Sequence, residues 1–282
     1  LTSVAILGFS GMLGSHLCPK LDANAELAVS SFDRSSIDFE KPIDDLVEKL
    51  SGFDVVVNCI AYTNVNAAES DYESCLWANA VIPQKLADIG TQVGFRLLLA
   101  STDYVFDGKK NEPYEVMDET NPLNAYGRSK LLGEQAVLSY ENSTVIRTSW
   151  LYGPKGNSFP KAILRKLVEG KPFQVVSDQI STPTSVEFLS SFIESVITKG
   201  ITDSILHGVP TGSASWFEFA REIAKTCGFD QELISETTSE AMNVSRPANS
   251  QLASSEISGE ALSWQADWSN SKRLMLDSLG WS

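Results

Sequence analysis

The chain has 282 residues, 43% of them hydrophobic and 21% charged, with a formal net charge of −14, which suits one large α/β domain or a dinucleotide-binding domain carrying a smaller substrate-binding part. The acidic balance and the lack of Lys/Arg clusters exclude a surface that grips nucleic acid through its phosphates, and leave room for a focused site holding one anionic nucleotide. No apolar run approaches the roughly 20 residues of a membrane span, so no membrane role is expected.

Cys18, Cys59, Cys75 and Cys227 show no CxxC spacing and read as reduced thiols, small buried hydrophobes of a cytoplasmic protein. The chain opens on a strand and a Gly-rich turn rather than a charged segment and a cleavable apolar run, so no export signal is expected.

Short apolar runs bounded by turn residues recur at Val4 to Leu7, Leu27 to Val29, Val55 to Val57, Leu97 to Ala100, Val145 to Ile146 and Gln174 to Val176. Continuous runs of this length suit strands buried on both faces. Helices are expected to begin near Gly11, Ala67, Tyr126 and Asn157, from about Val186, and at Ser215, where Ser215 and Glu218 have capping-box spacing. Strands alternating with helices predict a Rossmann-type, doubly wound parallel sheet. Residues 1–150 would form mainly the NAD(P)-binding core, and residues 151–282 the remaining core strands interleaved with substrate-binding segments. Ser235 to Asp267 is Ser-rich and irregular and reads mostly as loop.

Gly8-Phe9-Ser10-Gly11-Met12-Leu13-Gly14 follows the first strand and opens the first helix, the context that gives a Gly-rich motif meaning. Gly8 permits the tight turn, Gly11 lets backbone approach a pyrophosphate at the helix N-terminus, and Gly14 permits close packing. The spacing is GxxGxxG rather than GxGxxG. The second strand ends in Ser30-Ser31 without the acidic residue that would hold a ribose 2′-hydroxyl, and Arg34 lies just beyond. NADP(H) is therefore favoured, with NAD(H) as the alternative, because a guanidinium pairs with a 2′-phosphate. Arg34 is otherwise a solvated loop charge. Asp38 and Phe39 either hold the adenine or are an ordinary surface Asp beside a core Phe.

Tyr126 and Lys130 stand at i and i+4, on one face of a helix prepared by Asn121-Pro122, so both side chains can face one pocket. A neighbouring ammonium would bring the phenol toward working range, and Lys130 could also bond the nicotinamide ribose. Thr102, at the C-terminal end of the fourth strand, stands where open parallel sheets bind ligands and could donate to a substrate carbonyl. YxxxK alone is otherwise a solvated pair. What distinguishes it here is order: a Gly turn after strand one, Ser101-Thr102 after strand four, then YxxxK.

With these motifs the chain resembles the extended short-chain dehydrogenases/reductases, and within them the dTDP-4-dehydrorhamnose reductase family. The resemblance spans nearly the whole chain and includes the stretches 57–69, 101–108, 122–127, 147–153 and 178–184. It implies Tyr126 as proton donor, Lys130 as its partner and Thr102 as the third member of the catalytic set. It implies that Ser10, Met12, Leu13, Ala61, Tyr62, Thr63 and Ala100 join the Gly turn in lining the cofactor. Asp103, Tyr104, Val105 and Trp150 would face a nucleotide-linked deoxysugar, although Trp150 is otherwise a core aromatic. Arg246, in Arg246-Pro247-Ala248-Asn249-Ser250, would pair with the sugar-nucleotide diphosphate, or is otherwise a loop Arg fixed by Pro247.

The activity so implied is reduction of a C4 keto group, most directly dTDP-4-dehydro-L-rhamnose to dTDP-L-rhamnose, by a monomer or homodimer. Related dehydratases carry an acidic pair after the Thr, whereas Asp103 is followed here by Tyr104, which argues against elimination. A nucleotide-sugar 4-epimerase and a non-catalytic NADP-binding regulatory subunit of a partner enzyme are the alternatives. Some members of the family hold magnesium through acidic residues near the phosphate helix, but Ser15 and His16 stand there in this chain and no metal site is expected. His16 and His207 lack a ligand pattern. Ala253, after Leu252, stands where the family has Asp or Asn.

Overall fold

The structure, a computed structural model, describes residues 1–241, 244–257 and 261–281. In chain order the strands are β1 (Thr2–Leu7), β2 (Leu27–Phe32), β3 (Val55–Asn58), β4 (Arg96–Thr102), β5 (Ser143–Thr148), β6 (Leu151–Tyr152), β7 (Phe173–Val176), β8 (Ile180–Ser181), β9 (Thr184–Ser185), β10 (Ile205–His207), β11 (Ala214–Ser215) and β12 (Ile234–Thr237). The helices are α1 (Gly14–Asp22), α2 (Ile43–Leu50), α3 (Tyr72–Leu76), α4 (Ile82–Val93), α5 (Ala125–Leu138), α6 (Phe159–Glu169), α7 (Val186–Thr198), α8 (Trp216–Thr226) and α9 (Trp264–Ser278).

Six strands form one parallel sheet in the order β10-β5-β4-β3-β1-β2. The alternation along β1 shows why its run is apolar without interruption. Val4 and Ile6 pack with Leu17 and Leu21 of α1 and with Leu189 and Ile193 of α7, while Ala5 and Leu7 pack with Leu46 and Leu50 of α2 and with Leu86 and Ile89 of α4. Both faces are dry, as a doubly wound sheet requires. The order reverses beside β1, and the C-terminal strand ends there make the crevice in which such sheets bind ligands.

The expected sixth strand, Gln174 to Val176, is not part of this sheet. It lies in β7, which pairs in parallel with β12, and β10 takes the sixth place beside β5. Both segments are short and apolar, and only the tertiary partner decides between them. The strands β7 and β12, with α6, α8 and α9, enclose a second core around Phe219, Trp264 and Trp268. Two helices lie outside the expected set, α2 and α9. The Ile43, Leu46, Val47, Leu50 stripe of α2 is legible in sequence, and α9 begins where the Ser-rich segment ends, capped by Ser263. That segment reads largely as irregular, apart from β12 and a short 3-10 turn; part of it lies outside the described residues.

Near Ala67 there is only a single 3-10 turn. The helical chain proper runs from Tyr72, and a π turn over Trp77–Val81 joins α3 to α4. This turn carries Asn79, which is buried and donates to Ser129 Oγ of α5 at 2.9 Å. Gly133, on the facing turn of α5, makes the approach possible: a Cβ there would stand 2.0 Å from the Asn79 carbonyl oxygen. Gly133→Ala is accordingly expected to cost about 3 kcal/mol of stability, because the atom that must give way is backbone. Urea denaturation checks this, and an unchanged midpoint would count against so tight a contact.

Candidate active site

The turn after β1 has the geometry that its glycines suggest. Gly8 has φ 79°, a conformation that costs an L side chain dearly. A Cβ on Gly14 would lie 2.4 Å from the Gly8 carbonyl oxygen and 2.7 Å from the Phe9 Cα. The turn therefore closes tightly on itself ahead of α1, with Ser10 and Gly11 exposed and Met12 half-buried against Gly153. Leu13 points instead into the core with Leu17 and Leu21. Exposed backbone at a helix N-terminus is a natural seat for a pyrophosphate.

Ser30 on β2 and Arg34 just beyond it are exposed. Asp33 is folded onto its own loop, accepting from the Ser35 amide at 2.9 Å and from Ser35 Oγ at 2.6 Å, so the neighbouring guanidinium remains turned outward. Arg34 and Asp38 border a surface depression with Lys41 and Lys49. Phe39 is a core residue, buried among Ile37, Leu46 and Leu86; of the two expectations for it, packing is the one observed.

The loop after β3 crosses the sheet edge next to this turn. Asn79 clamps it from behind, accepting from the Tyr62 amide at 2.9 Å and donating to the Tyr62 carbonyl at 3.0 Å. Ala61 and Thr63 are exposed on either side of Tyr62. Asn79 was not singled out from sequence. A lone Asn within a helical pattern gives little signal, and only its burial reveals the clamp.

Thr102 ends β4 and caps the 3-10 turn that follows, its Oγ1 accepting from the Tyr104 amide at 3.2 Å. Asn124 caps α5 by accepting from the Gly127 amide at 2.8 Å, so the helix starts at Ala125, next to the expected start at Tyr126. Gly127 lets α5 press onto the Thr102 turn, since a Cβ there would meet the Tyr104 carbonyl oxygen at 2.3 Å. The cap and the close approach together bring the Tyr126 phenol up beside Thr102. Lys130, one turn on, is buried and donates to the Ala100 carbonyl at 2.7 Å.

The electrostatics differ from the sequence expectation. Burial pushes the Tyr126 phenol well above its ordinary value; the Thr102 hydroxyl opposes this, and the Asp103 charge adds to it. Burial pulls Lys130 down to about 8, with Glu134 acting in the opposite sense. Lys130, whose Nζ donates to the Ala100 carbonyl, is not among the groups that shift the phenol here. A phenol held protonated is the correct state for a proton donor.

Asp103 is buried and bonds inward. It accepts from Thr102 Oγ1 at 3.1 Å, Ser181 Oγ at 3.2 Å and Ser250 Oγ at 2.5 Å, joining two segments of the C-terminal half to the end of β4. Val105 is likewise a core residue, fully buried with Phe106, Tyr114, Val209 and Leu252, so its side chain does not face the cleft. Burial raises the Asp103 carboxyl to about 6, against the hydrogen bonds from Ser250, Thr102 and Ser181. A folded-state value above the unfolded one makes a contribution that is fully present below pH 4 and lost as pH rises through 6. The stability of Asp103→Asn relative to wild type should therefore improve as pH rises from 4 to 7, by up to about 3 kcal/mol. A difference that does not vary with pH in urea titrations would reject this.

Tyr104 stacks edge-on against Tyr126, ring centroids 5.9 Å apart, and the Arg246 charge beside it works against the effect of burial on its phenol. Arg246 also donates to Asn66 Oδ1 at 2.9 Å, so the loop after β3, the turn after β4 and the RPANS segment meet at one wall. Trp150 is half-buried and is the one non-glycine with positive φ, 43°, among the described residues. Its ring stacks on Trp216 at 3.4 Å and 8°. A bulky residue held in that region signals a constraint imposed by its surroundings. Trp216, at the start of α8, was not foreseen as a neighbour; the two lie far apart in sequence.

Cys75 is fully buried and Cys18, Cys59 and Cys227 partly so, and no pair among them forms a disulfide. No helix among the described residues is long and apolar enough to cross a membrane.

The model of the RmlD substrate binding domain family matches residues 2–280. The chain is 39% identical to the dTDP-4-dehydrorhamnose reductase of Mycobacterium tuberculosis over 241 residues, covering 82% of this chain and 77% of that one. It belongs to the dTDP-4-dehydrorhamnose reductase family. A probable dTDP-4,6-dihydroxy-2-methyloxan-3-one 4-ketoreductase of Streptomyces antibioticus is 37% identical over 276 residues, 95% of this chain and 92% of that protein. Among solved structures, a dTDP-4-dehydrorhamnose reductase of Bacillus anthracis in complex with NADP superposes with a TM-score of 0.89 at 31% identity, over 97% of this chain and 99% of that one. The family resemblance carried by the motifs is thus established, as is the α/β fold with its Rossmann-type parallel sheet.

Proposed function

We propose that the chain is an NADPH-dependent oxidoreductase that reduces the C4 keto group of a nucleotide-linked 4-keto-6-deoxyhexose, converting dTDP-4-dehydro-L-rhamnose to dTDP-L-rhamnose in the cytoplasm. The observation that carries this reading is the convergence of Tyr126, Lys130 and Thr102 at the C-terminal edge of the sheet, with Lys130 held on the Ala100 carbonyl and Tyr126 packed against Tyr104 of the turn that Thr102 caps, in a chain whose relatives are named as reductases of such sugars.

The cofactor fits the residues present. The Gly8 to Gly14 turn has no room for a Cβ at Gly14, its Ser10 and Gly11 lie open, and Arg34 supplies a cation beyond β2, where the adjoining Asp33 carboxylate is engaged by Ser35. Ala61, Tyr62, Thr63 and Ala100 continue that wall toward Lys130. A bound nicotinamide supplies the hydride for C4. Tyr126 donates a hydrogen bond to the oxygen at C4 and gives its proton as the alkoxide develops, and Thr102 joins it when its hydroxyl turns from Asp103 to the substrate. Lys130 offsets the negative charge left on the phenol until solvent returns a proton. Trp150 and Arg246 form the wall against which the sugar and its diphosphate rest.

The test is loss of NADPH absorbance with a dTDP-4-keto-6-deoxyhexose generated in situ, with the product resolved from the panel of possible C4 epimers. NADPH that binds but is not consumed by any member of the panel would overturn the reading and point to the regulatory subunit instead.

A further inference from the structure

Behind the cleft lies a charge pair that the reaction as described leaves unused. Arg147 of β5 holds Glu134 of α5 through Nε at 3.1 and 3.2 Å and Nη2 at 2.8 Å. Ser101 of β4 donates to the same carboxylate at 2.5 Å. Side-chain exposures of 3% and 1% make it the one ion pair with both partners buried among the described residues. Buried ion pairs are weak stabilisers, since apolar residues of similar volume often serve as well, so stability alone does not account for the choice. Its location is more informative: Glu134 is one helical turn beyond Lys130, and Ser101 adjoins Thr102.

We propose that Glu134, clamped by Arg147 and Ser101, is a positioning residue that sets both the place and the charge of Lys130, an inference that rests on the reductase reading given above. Two contacts tie α5 to β4 side by side, Glu134 to Ser101 and Lys130 to the Ala100 carbonyl. They fix the helix that carries Tyr126 and Lys130 against the strand that ends in Thr102. The titratable groups that face Lys130 are Glu134 on its own helix and the thiols Cys59 and Cys75, of which burial holds Cys59 neutral with a value of about 12. Glu134 is the carboxylate among them. Behind it stands Arg147, packed over the Phe106 ring at 5.1 Å, and beyond that His207, which burial keeps neutral with a value of about 4.

The arrangement makes predictions of opposite sign. Removing the Glu134 charge takes away the support for the Lys130 ammonium, whereas removing the Arg147 charge leaves Glu134 unopposed and strengthens that support. In Glu134→Gln the Lys130 titration, followed by carbon-13 NMR of labelled lysines and assigned with Lys130→Arg, should fall by about one pH unit, the size of one nearby charge. The alkaline limb of kcat should fall with it, and kcat itself should drop about tenfold with KM for NADPH little changed. In Arg147→Met the titration should rise. The double variant Glu134→Gln/Arg147→Met leaves no buried charge unpaired and covers the case in which a single variant does not fold; there Lys130 should again titrate below wild type. Lys130 titrating as in wild type in the double variant, or moving the same way in both single variants, would overturn the proposal and leave a scaffold role only. If wild type reduces no keto sugar while the titrations shift in opposite directions, the reductase reading fails and the Glu134–Lys130 coupling stands.

Discussion

Tyr126→Phe is expected to lower kcat for reduction about 1000-fold while leaving NADPH affinity within about twofold. The loss corresponds to about 4 kcal/mol of transition-state stabilisation, within the range for a positioned general acid. Phe keeps the ring that packs on Tyr104 at 5.9 Å, so the helix start and the Thr102 turn should stand. What goes is the phenol hydroxyl beside Thr102. Because burial holds that phenol protonated through the neutral range, its ionisation does not limit the reaction, and the alkaline decline should follow Lys130, which loses its proton at about 8. Stopped-flow reduction beside fluorescence titration of NADPH separates the two quantities. A variant that retains a tenth of the activity would remove Tyr126 from the role of proton donor.

Gly14→Ala should show the converse pattern. The added methyl meets the Gly8 carbonyl oxygen at 2.4 Å and the Phe9 Cα at 2.7 Å, so the turn must open, and with it the exposed backbone that would hold the pyrophosphate. NADPH affinity is expected to fall at least about 100-fold, near 3 kcal/mol, while the sheet and the Tyr126–Thr102 pair remain in place. Calorimetric titration measures the affinity, and circular dichroism verifies the fold. Turnover at saturating NADPH should survive better than binding. Unaltered affinity would mean that the turn is close-packed for conformational reasons alone and holds no phosphate.

The two variants probe the parts of the site that were most legible in the chain. The Gly turn and the YxxxK helix are local patterns: a strand, a turn that needs positive φ at Gly8, and two side chains one helical turn apart are specified within a few residues of each other. Periodicity likewise gives β1 to β5, since strands buried on both faces read as unbroken apolar runs. Those features, the parallel α/β class, and the family resemblance follow from the order of residues alone.

Tertiary structure decided what depends on a distant partner. Segments 174–176 and 205–207 are alike as short apolar runs, and only pairing with β12 or with β5 separates them. Asp103 follows Thr102 and looks ready for the substrate, yet three hydroxyls from β4 and two later segments draw it inward. Trp150 takes its positive φ with Trp216, 66 positions further on, stacked against it, and Asn79 becomes a clamp only when the loop after β3 and helix α5 close on it. The ionisation of the site belongs to this second group as well. Sequence spacing puts an ammonium near a phenol, but burial, a property of the packed molecule, sets which of them holds its proton.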